Sequence, residues 1–370
     1  MYRCTYIVAH RGTAVPKPRL DFDTDENAET SSGGTLARWH GGGCAAPHRP
    51  WWHPARTRRL ARTEPTAPVS ATTRPPVGVV GLGVVGSRVV RQLQSDGFAV
   101  GGDDASVVVL ATSSRQLEIA GLLLERGQSV VTTTDDLTET RALLDLEATA
   151  ASHGATLVVG ASASPGLTGL LAAELARRVD EVDEIHVAFH GTAGPGCARQ
   201  HHRALGDEAV GWHDNVFISR PGGSGRELLW FPEPVGGKDC YRAALPDVVL
   251  LHRAFPQATR ISARMSATRR DRLTARLPMM SPPHAEGGIG GVRVEVRGSR
   301  NGERRAEVAG AADRTGTIAA AVAASFARHL IDHSAPGVVV AGDGRLEDLA
   351  IIDDIVRRGI YLYEYAGSRG

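Results

Sequence analysis

From Val77 onward, short and nearly unbroken apolar runs alternate with stretches of helical period. "VGVVGLG" reads as a buried strand and "VVGSRVVRQLQSDG" as a helix ending near Gly97. "SVVVLATS" is a second apolar strand, followed by the helix "RQLEIAGLLLERG", closed by Gly127. "SVVTTTDD", "LTETRALLDLEATAASHG" and "ATLVVGAS" continue the series as strand, helix and strand. Short apolar strands joined by such helices predict right-handed crossovers and a parallel sheet.

"PGLTGLLAAELARRVD" is then a helix with Pro165 near its start, and "EVDEIHVAFHG" opens a different region. Residues 190–310 carry few helical signals. Alternating segments such as "TRISARMSATRR" and "GVRVEVRGSRNGERRAEVAG" predict a largely antiparallel sheet with one wetter face. "RTGTIAAAVAASFARHLI" is an apolar helix, and "LEDLAIIDDIVRRGIYLYEYAG" ends the chain as helix plus strand. Residues 1–75 show neither period; their Pro, Gly, Thr and Arg clusters predict a disordered extension.

Composition narrows the function classes. The chain of 370 residues is long enough for two domains, and its net charge of +1 gives no footprint for nucleic acid. No apolar run approaches the roughly 18–20 residues that span a bilayer, and "MYRCTYIVAHRG" is too short in apolar residues for a secretory signal. Cys4, Cys44, Cys197 and Cys240 show no paired spacing. A cytoplasmic location is expected.

Gly81, Gly83 and Gly86 form G-x-G-x-x-G between a predicted strand and a predicted helix. In such a loop the first glycine permits the tight turn, the second admits the pyrophosphate, and the third lets helix and strand pack. With Leu82, Val84 and Val85 they make a candidate dinucleotide site at a helix N-terminus. Ala111 and Thr112, Thr133, and Gly160 and Ala161 follow the next three strands, where an open parallel sheet binds its ligand. Asp103, about 20 positions past Gly81, is the candidate ribose ligand and favours NAD over NADP. Yet "GGDDA" cannot hold a parallel crossover between "FAV" and "SVVVLATS", since one needs roughly ten residues. The strand–helix unit that cradles adenosine is therefore missing, and weak binding of NAD or NADP is expected.

"VGVVGLGVVGSRVVRQL", "VVVLATS", "GQSVVTTTDD", "GATLVVGASASPGLTGLLAAELA" and "APGVVVAGDGRLEDLAIIDDIVRRGI" together resemble saccharopine dehydrogenase-like proteins. The resemblance covers roughly 77–190 and 310–370. It implies an α/β fold: a Rossmann-type parallel sheet, here with a shortened second half, interrupted by an inserted α+β substrate domain. On that plan residues 76–189 are the nucleotide domain, 190–310 a substrate or dimerisation insert, and 311–370 the return to the nucleotide domain. It also implies NAD(P)-dependent oxidation or reduction of a secondary amine or imine made from an amino acid. The alternative is a descendant of the fold that only binds a ligand or partner.

The insert holds the remaining candidate chemistry. Arginine forks suit the carboxylates of an amino-acid-derived substrate, which makes Arg199, Arg203, Arg269 and Arg270 candidate clamps and Arg226 a candidate at the reacting centre. The competing reading is that these arginines brace irregular loops against Glu227, Asp239, Asp271 and Glu286. His201 and His202, an adjacent pair in a Gly/Arg-rich loop, are candidates for proton transfer, with His284 and Tyr241. Cys197-x3-His201-His202 lacks the compact four-ligand spacing of a zinc site, so no metal is expected. "GGSGR" does not fit a nucleophile elbow. The expected partners are a small-molecule substrate and a second copy in a homodimer, with neither nucleic acid nor membrane.

Overall fold

The computed structural model describes residues 3–5, 74–101, 104–279 and 282–366. A short strand β1 (Arg3–Thr5) precedes β2 (Val77–Val80), α1 (Val84–Ser95), β3 (Val107–Leu110), α2 (Gln116–Leu124) and β4 (Ser129–Thr132). Next come α3 (Leu137–Leu144), α4 (Glu147–Ser152), β5 (Thr156–Val159), α5 (Leu167–Ala176) and β6 (Glu181–His190). The insert continues with α6 (Pro195–Gly206), β7 (Glu208–His213), β8 (Val216–Pro221), β9 (Glu227–Trp230), β10 (Gly237–Arg242), α7 (Asp247–Ala254), β11 (Arg260–Ser266) and α8 (Arg269–Thr274). The chain ends with β12 (Ile289–Arg300), β13 (Glu303–Arg314), α9 (Thr315–Asp332), β14 (Gly337–Val340), α10 (Asp348–Arg357) and β15 (Leu362–Ala366).

The first sheet has five parallel strands in the order β14-β5-β4-β3-β2. Its strands are buried on both faces, as parallel strands covered by helices must be. On one face α2 and α4 pack over a core of Leu110, Ala120, Leu124, Val130, Leu143, Ala150 and Leu157. On the other, α9 lies against α1, β3 and β4. Its alanines, Ala319–Ala321 and Ala323–Ala324, are fully buried and let that helix approach closely.

Beyond β2 the sheet stops almost at once. Val100 makes one parallel bridge to Val77, with Gly101 N–H donating to Val77 O at 3.0 Å. The chain then turns at Gly101 (φ +108) and reaches β3 without a crossover helix. Ala105 is buried in the α2-side core, and a Cβ on Gly78 would lie 3.5 Å from its Cβ. A Cβ on Gly78 would press more closely on Val108 of β3, at 3.1 Å. The predicted shortening of the nucleotide-binding half is present.

The second, mixed sheet runs β1-β15-β13-β12-β6-β11-β10-β9, with β7 joined to β11 and β8 to β7. Most of its pairs are antiparallel, but β6 and β11 are parallel. Two hairpins turn on adjacent left-handed residues, Asp214–Asn215 (φ 49 and 66) and Asn301–Gly302 (φ 53 and 77). That conformation matches the twist of paired strands, and "NG" is its strongest sequence signal.

Several elements differ from the sequence expectations. The helix read across 137–154 is two, because Asp145 and Leu146 close i→i+3 bonds to Ala142 and Leu143. The segment read as a Gly/Arg loop around His201 is α6, whose period buries Ala198, His201 and Leu205 and exposes Arg199 and Arg203. The C-terminal strand β15 joins β13 of the mixed sheet, and "VVV" of β14 is what returns to the parallel sheet. Within the stretch 1–75, Arg3–Thr5 pairs with β15, while residues 6–73 lie outside the described residues. Among the described residues no helix is long and apolar enough to cross a membrane.

Candidate active site

The glycine loop is packed from within. Gly81 has φ +94, and a Cβ there would come within 2.8 Å of the Ala111 backbone. A Cβ on Gly86 would sit 1.7 Å from Gly81 O. Both positions demand glycine for folding alone. Gly83 does not: its φ of −71° is open to any residue, and a Cβ there would meet nothing within 4 Å. It is the N-cap of α1 and makes no side-chain cap, where Ser or Asp would satisfy a free N–H. Leu82 beside it is 73% exposed, while Val84 and Val85 begin the helix and are half-buried.

The loops after the next strands are stitched together by Gln116, which sequence reasoning missed. This buried amide donates to Thr112 O at 2.6 Å and accepts from Thr133 N–H at 3.0 Å. Its own N–H is held by Glu139 at 2.7 Å, and Glu139 also accepts from the Thr134 hydroxyl at 2.7 Å. Asp136 caps α3 through Glu139 N–H and accepts from Gln200 of α6 at 2.7 Å, tying the insert to this loop. Gly160 and Ala161 are buried; a Cβ on Gly160 would strike Pro165 at 2.7 Å and Leu250 at 2.8 Å. Gly160 therefore faces the insert's α7, and Ala161 N–H bonds Thr132 O of β4. Asp103 lies outside the described residues, and Asp104 beside it is exposed in a turn.

Residues 190–201 link this loop system to a cavity of about 360 Å³. A Cβ on Gly194 would come within 2.9 Å of Val84, and one on Gly196 within 2.8 Å of Ser113. His190, Gly191 and Thr192 precede these contacts and His201 and His202 follow them, all in the cavity wall. Lys238, Asp239, Met265, Ser266 and Asp271 complete its chemistry. Its size and mixed lining suit a small organic molecule.

The cavity's ionisable groups differ in state. His190 Nδ1 meets Ser266 Oγ at 2.6 Å, and burial followed by the Lys238 cation holds its pKa below the ordinary value. His190 is therefore neutral at pH 7. His201 is buried, with Nε2 3.2 Å from Asp135 and its ring edge-on to Phe189. Burial opposes its charging, but Cys197 and the Asp135 carboxylate outweigh that cost and raise its pKa well above the usual value. Burial likewise pushes the Cys197 thiol up. His202 is committed to Leu277 O at 2.9 Å.

The sequence of this chain matches no family model, and comparison with curated proteins returned no match. Solved structures do match. Saccharopine dehydrogenase (L-Glu forming) from Saccharomyces cerevisiae aligns over 79% of this chain and 100% of its own, at TM-score 0.56 and 13% identity. Homospermidine synthase from Legionella pneumophila, solved in complex with NAD, covers 80% of this chain and 94% of its own, at TM-score 0.56 and 14% identity. The chain has the saccharopine dehydrogenase-like fold.

The arginines singled out by sequence do not line the cavity. Arg199 and Arg203 point off the exposed side of α6, and Arg203 bonds Gln200. Arg269 and Arg270 are exposed at the start of α8. Arg226 is 67% exposed and pairs with Asp239 at 3.0 Å, so it reaches the cavity only through that carboxylate. Tyr241 is buried under the Arg272 guanidinium, 4.2 Å from its ring centroid. His284 is exposed, and its Nδ1 accepts from Glu286 N–H. Of the proposed proton-transfer groups, His201 and His202 reach the cavity. His190 and Lys238 are the groups sequence reasoning did not place in that role; their signal was position, at the end of one strand and the start of another.

Proposed function

We propose that the chain is an NAD(P)-dependent oxidoreductase acting on an amino-acid-derived secondary amine or imine. The nucleotide phosphates lie over Gly81–Gly86, and the substrate occupies the cavity lined by His190 and Lys238. The observation that carries this reading is Gly83, the glycine of the motif that packing does not require. An open N-cap without a side chain leaves room for a pyrophosphate against the free N–H groups of α1. The fold is also that of a dehydrogenase and of a synthase solved with NAD.

The nicotinamide, when bound, supplies the hydride chemistry. The chain's own residues position and protonate. Lys238 binds a substrate carboxylate as a point charge. His190, neutral at pH 7, takes the proton released from the substrate nitrogen or its attacking water, while Ser266 fixes the ring. Arg226 holds Asp239 in place at the cavity wall. Arg226→Ala and His202→Ala act on turnover more than on stability, the first by releasing Asp239 and the second by freeing α6 from Leu277.

With the adenosine-binding unit absent, binding rests on phosphate and nicotinamide contacts. A dissociation constant on the order of 0.1 mM, about −5 kcal/mol, is expected for NADH or NADPH. Calorimetric titration of the full chain tests it. Micromolar affinity shows that other residues rebuild the adenosine pocket. Absence of binding at millimolar nucleotide leaves the second reading, a ligand-binding descendant of the fold, which the same missing unit favours.

A further inference from the structure

We propose that Asp135, Cys197 and His201 bind a divalent cation of the zinc class beside the cavity. Cys197 and His201 are four apart on α6 and so share one helix face. Asp135 comes from the loop after β4, in the parallel sheet. The three ligand atoms lie within 4.8 Å of one another. His201 Nε2 is 3.2 Å from Asp135 Oδ2 and 3.6 Å from Cys197 Sγ. Around a tetrahedral zinc with bonds of about 2.0 Å to nitrogen or oxygen and 2.3 Å to sulfur, those edges would be about 3.3 and 3.6 Å. The Asp135–His201 edge already stands at coordination length, while Cys197 Sγ, 3.8 Å from Nδ1 as well, has to swing along the ring edge toward the Nε2 lone pair.

The surroundings hold this arrangement in place. The neighbouring Asp136 is occupied, capping α3 and accepting from Gln200, so Asp135 is the carboxylate left for the site. The Gln200–Asp136 bond fixes α6 to the loop that carries Asp135. Phe189 sets the His201 ring from its edge. A thiolate with an imidazole selects zinc over magnesium or calcium, which prefer oxygen ligands. Three protein ligands leave one position open, the pattern of zinc sites that engage water or substrate. Of the three ligands His201 lines the cavity and Asp135 and Cys197 do not, so the site lies beside the cavity. These residues are separate from His190, Lys238 and the glycine loop, and the proposal stands whether or not nucleotide binds.

The test uses the full chain, purified without chelators and dialysed against metal-free buffer. Elemental analysis is expected to find about one zinc per chain. After chelation, cobalt(II) added to the protein should give a thiolate-to-cobalt charge-transfer band and the intense visible absorption of a four-coordinate ion. Cys197→Ser removes the charge-transfer band, and Asp135→Asn or His201→Gln weakens cobalt binding at least about tenfold. Cys240→Ser, on a buried thiol of the mixed sheet, leaves the band in place. Wild-type protein that retains no zinc and gives no charge-transfer band overturns the proposal, and needs no variant to fold. So does a band that survives Cys197→Ser.

Discussion

The two ends of the proposed nucleotide crevice are built on different principles. At the phosphate end, Gly81 and Gly86 are forced by packing: one faces the Ala111 backbone and the other touches Gly81 O. At the adenosine end, one bridge between Val77 and Val100 is all that remains of the sheet. The tight turn at Gly81 and the close packing at Gly86 are inseparable from the strand–turn–helix that founds the domain, whereas the open N-cap at Gly83 is not. Adenosine recognition uses a separate strand–helix unit at the sheet's edge. Removing that unit leaves the central core intact, with Ala105 filling the face over Gly78. Two glycines of the motif therefore report the packing of the fold, and room for a ligand is reported by the third.

The sharpest way to test that division is Gly86→Val. A side chain aimed at Gly81 O cannot be accommodated without moving α1, and a loss of about 3 kcal/mol or more is expected in urea unfolding. A change below about 1 kcal/mol would show that packing does not fix this end of the crevice.

Gln116→Ala is expected to cost about 2 kcal/mol, since it removes the two buried hydrogen bonds to Thr112 O and Thr133 N–H, leaving the latter its bond to Leu110 O, and loosens the loop carrying Thr112. Unfolding measurements should register it, and nucleotide affinity should fall with it. Unchanged affinity would place the nicotinamide elsewhere.

Gly83→Trp should leave stability within about 1 kcal/mol, because a Cβ there meets nothing within 4 Å and the change costs little more than the N-cap preference for glycine. The same variant should lose detectable NADH binding. If it still binds nucleotide like the wild type, the phosphate end is as vestigial as the adenosine end.

The smallest effect concerns His190. Its folded pKa lies below the ordinary 6.5, so the unfolded chain binds the proton more tightly. The stability contributed by the neutral ring is complete above pH 6.5 and is lost as pH falls below it. Lys238→Met removes a lowering charge, and the His190 titration followed by NMR should move up. A downward movement would mean that Lys238 does not face this ring.

Much of this molecule was legible in the chain. The strands β2 to β5 announce themselves as apolar runs, because a strand buried on both faces needs no polar side. The short link between "FAV" and "SVVVLATS" revealed the missing unit by length alone, since five residues cannot hold a helix and two turns. Gly81–Gly86 was readable for the same reason: its steric demands are local.

What only the tertiary structure decided is which side chains meet. Asp135 and His201 are 66 positions apart in sequence and 3.2 Å apart in space, joined because α6 docks on the loop after β4. His190 and Lys238 share a cavity because β11 pairs with both β6 and β10. Arg199, Arg203, Arg269 and Arg270 matched the chemistry expected of a carboxylate ligand, yet helical phase turned the first two toward solvent and the last two sit on a short helix with no buried residue. Periodicity is set by neighbours along the chain and survives in the sequence. The company a side chain keeps is set by how strands and helices pack across hundreds of residues, and short-range pattern carries no record of it.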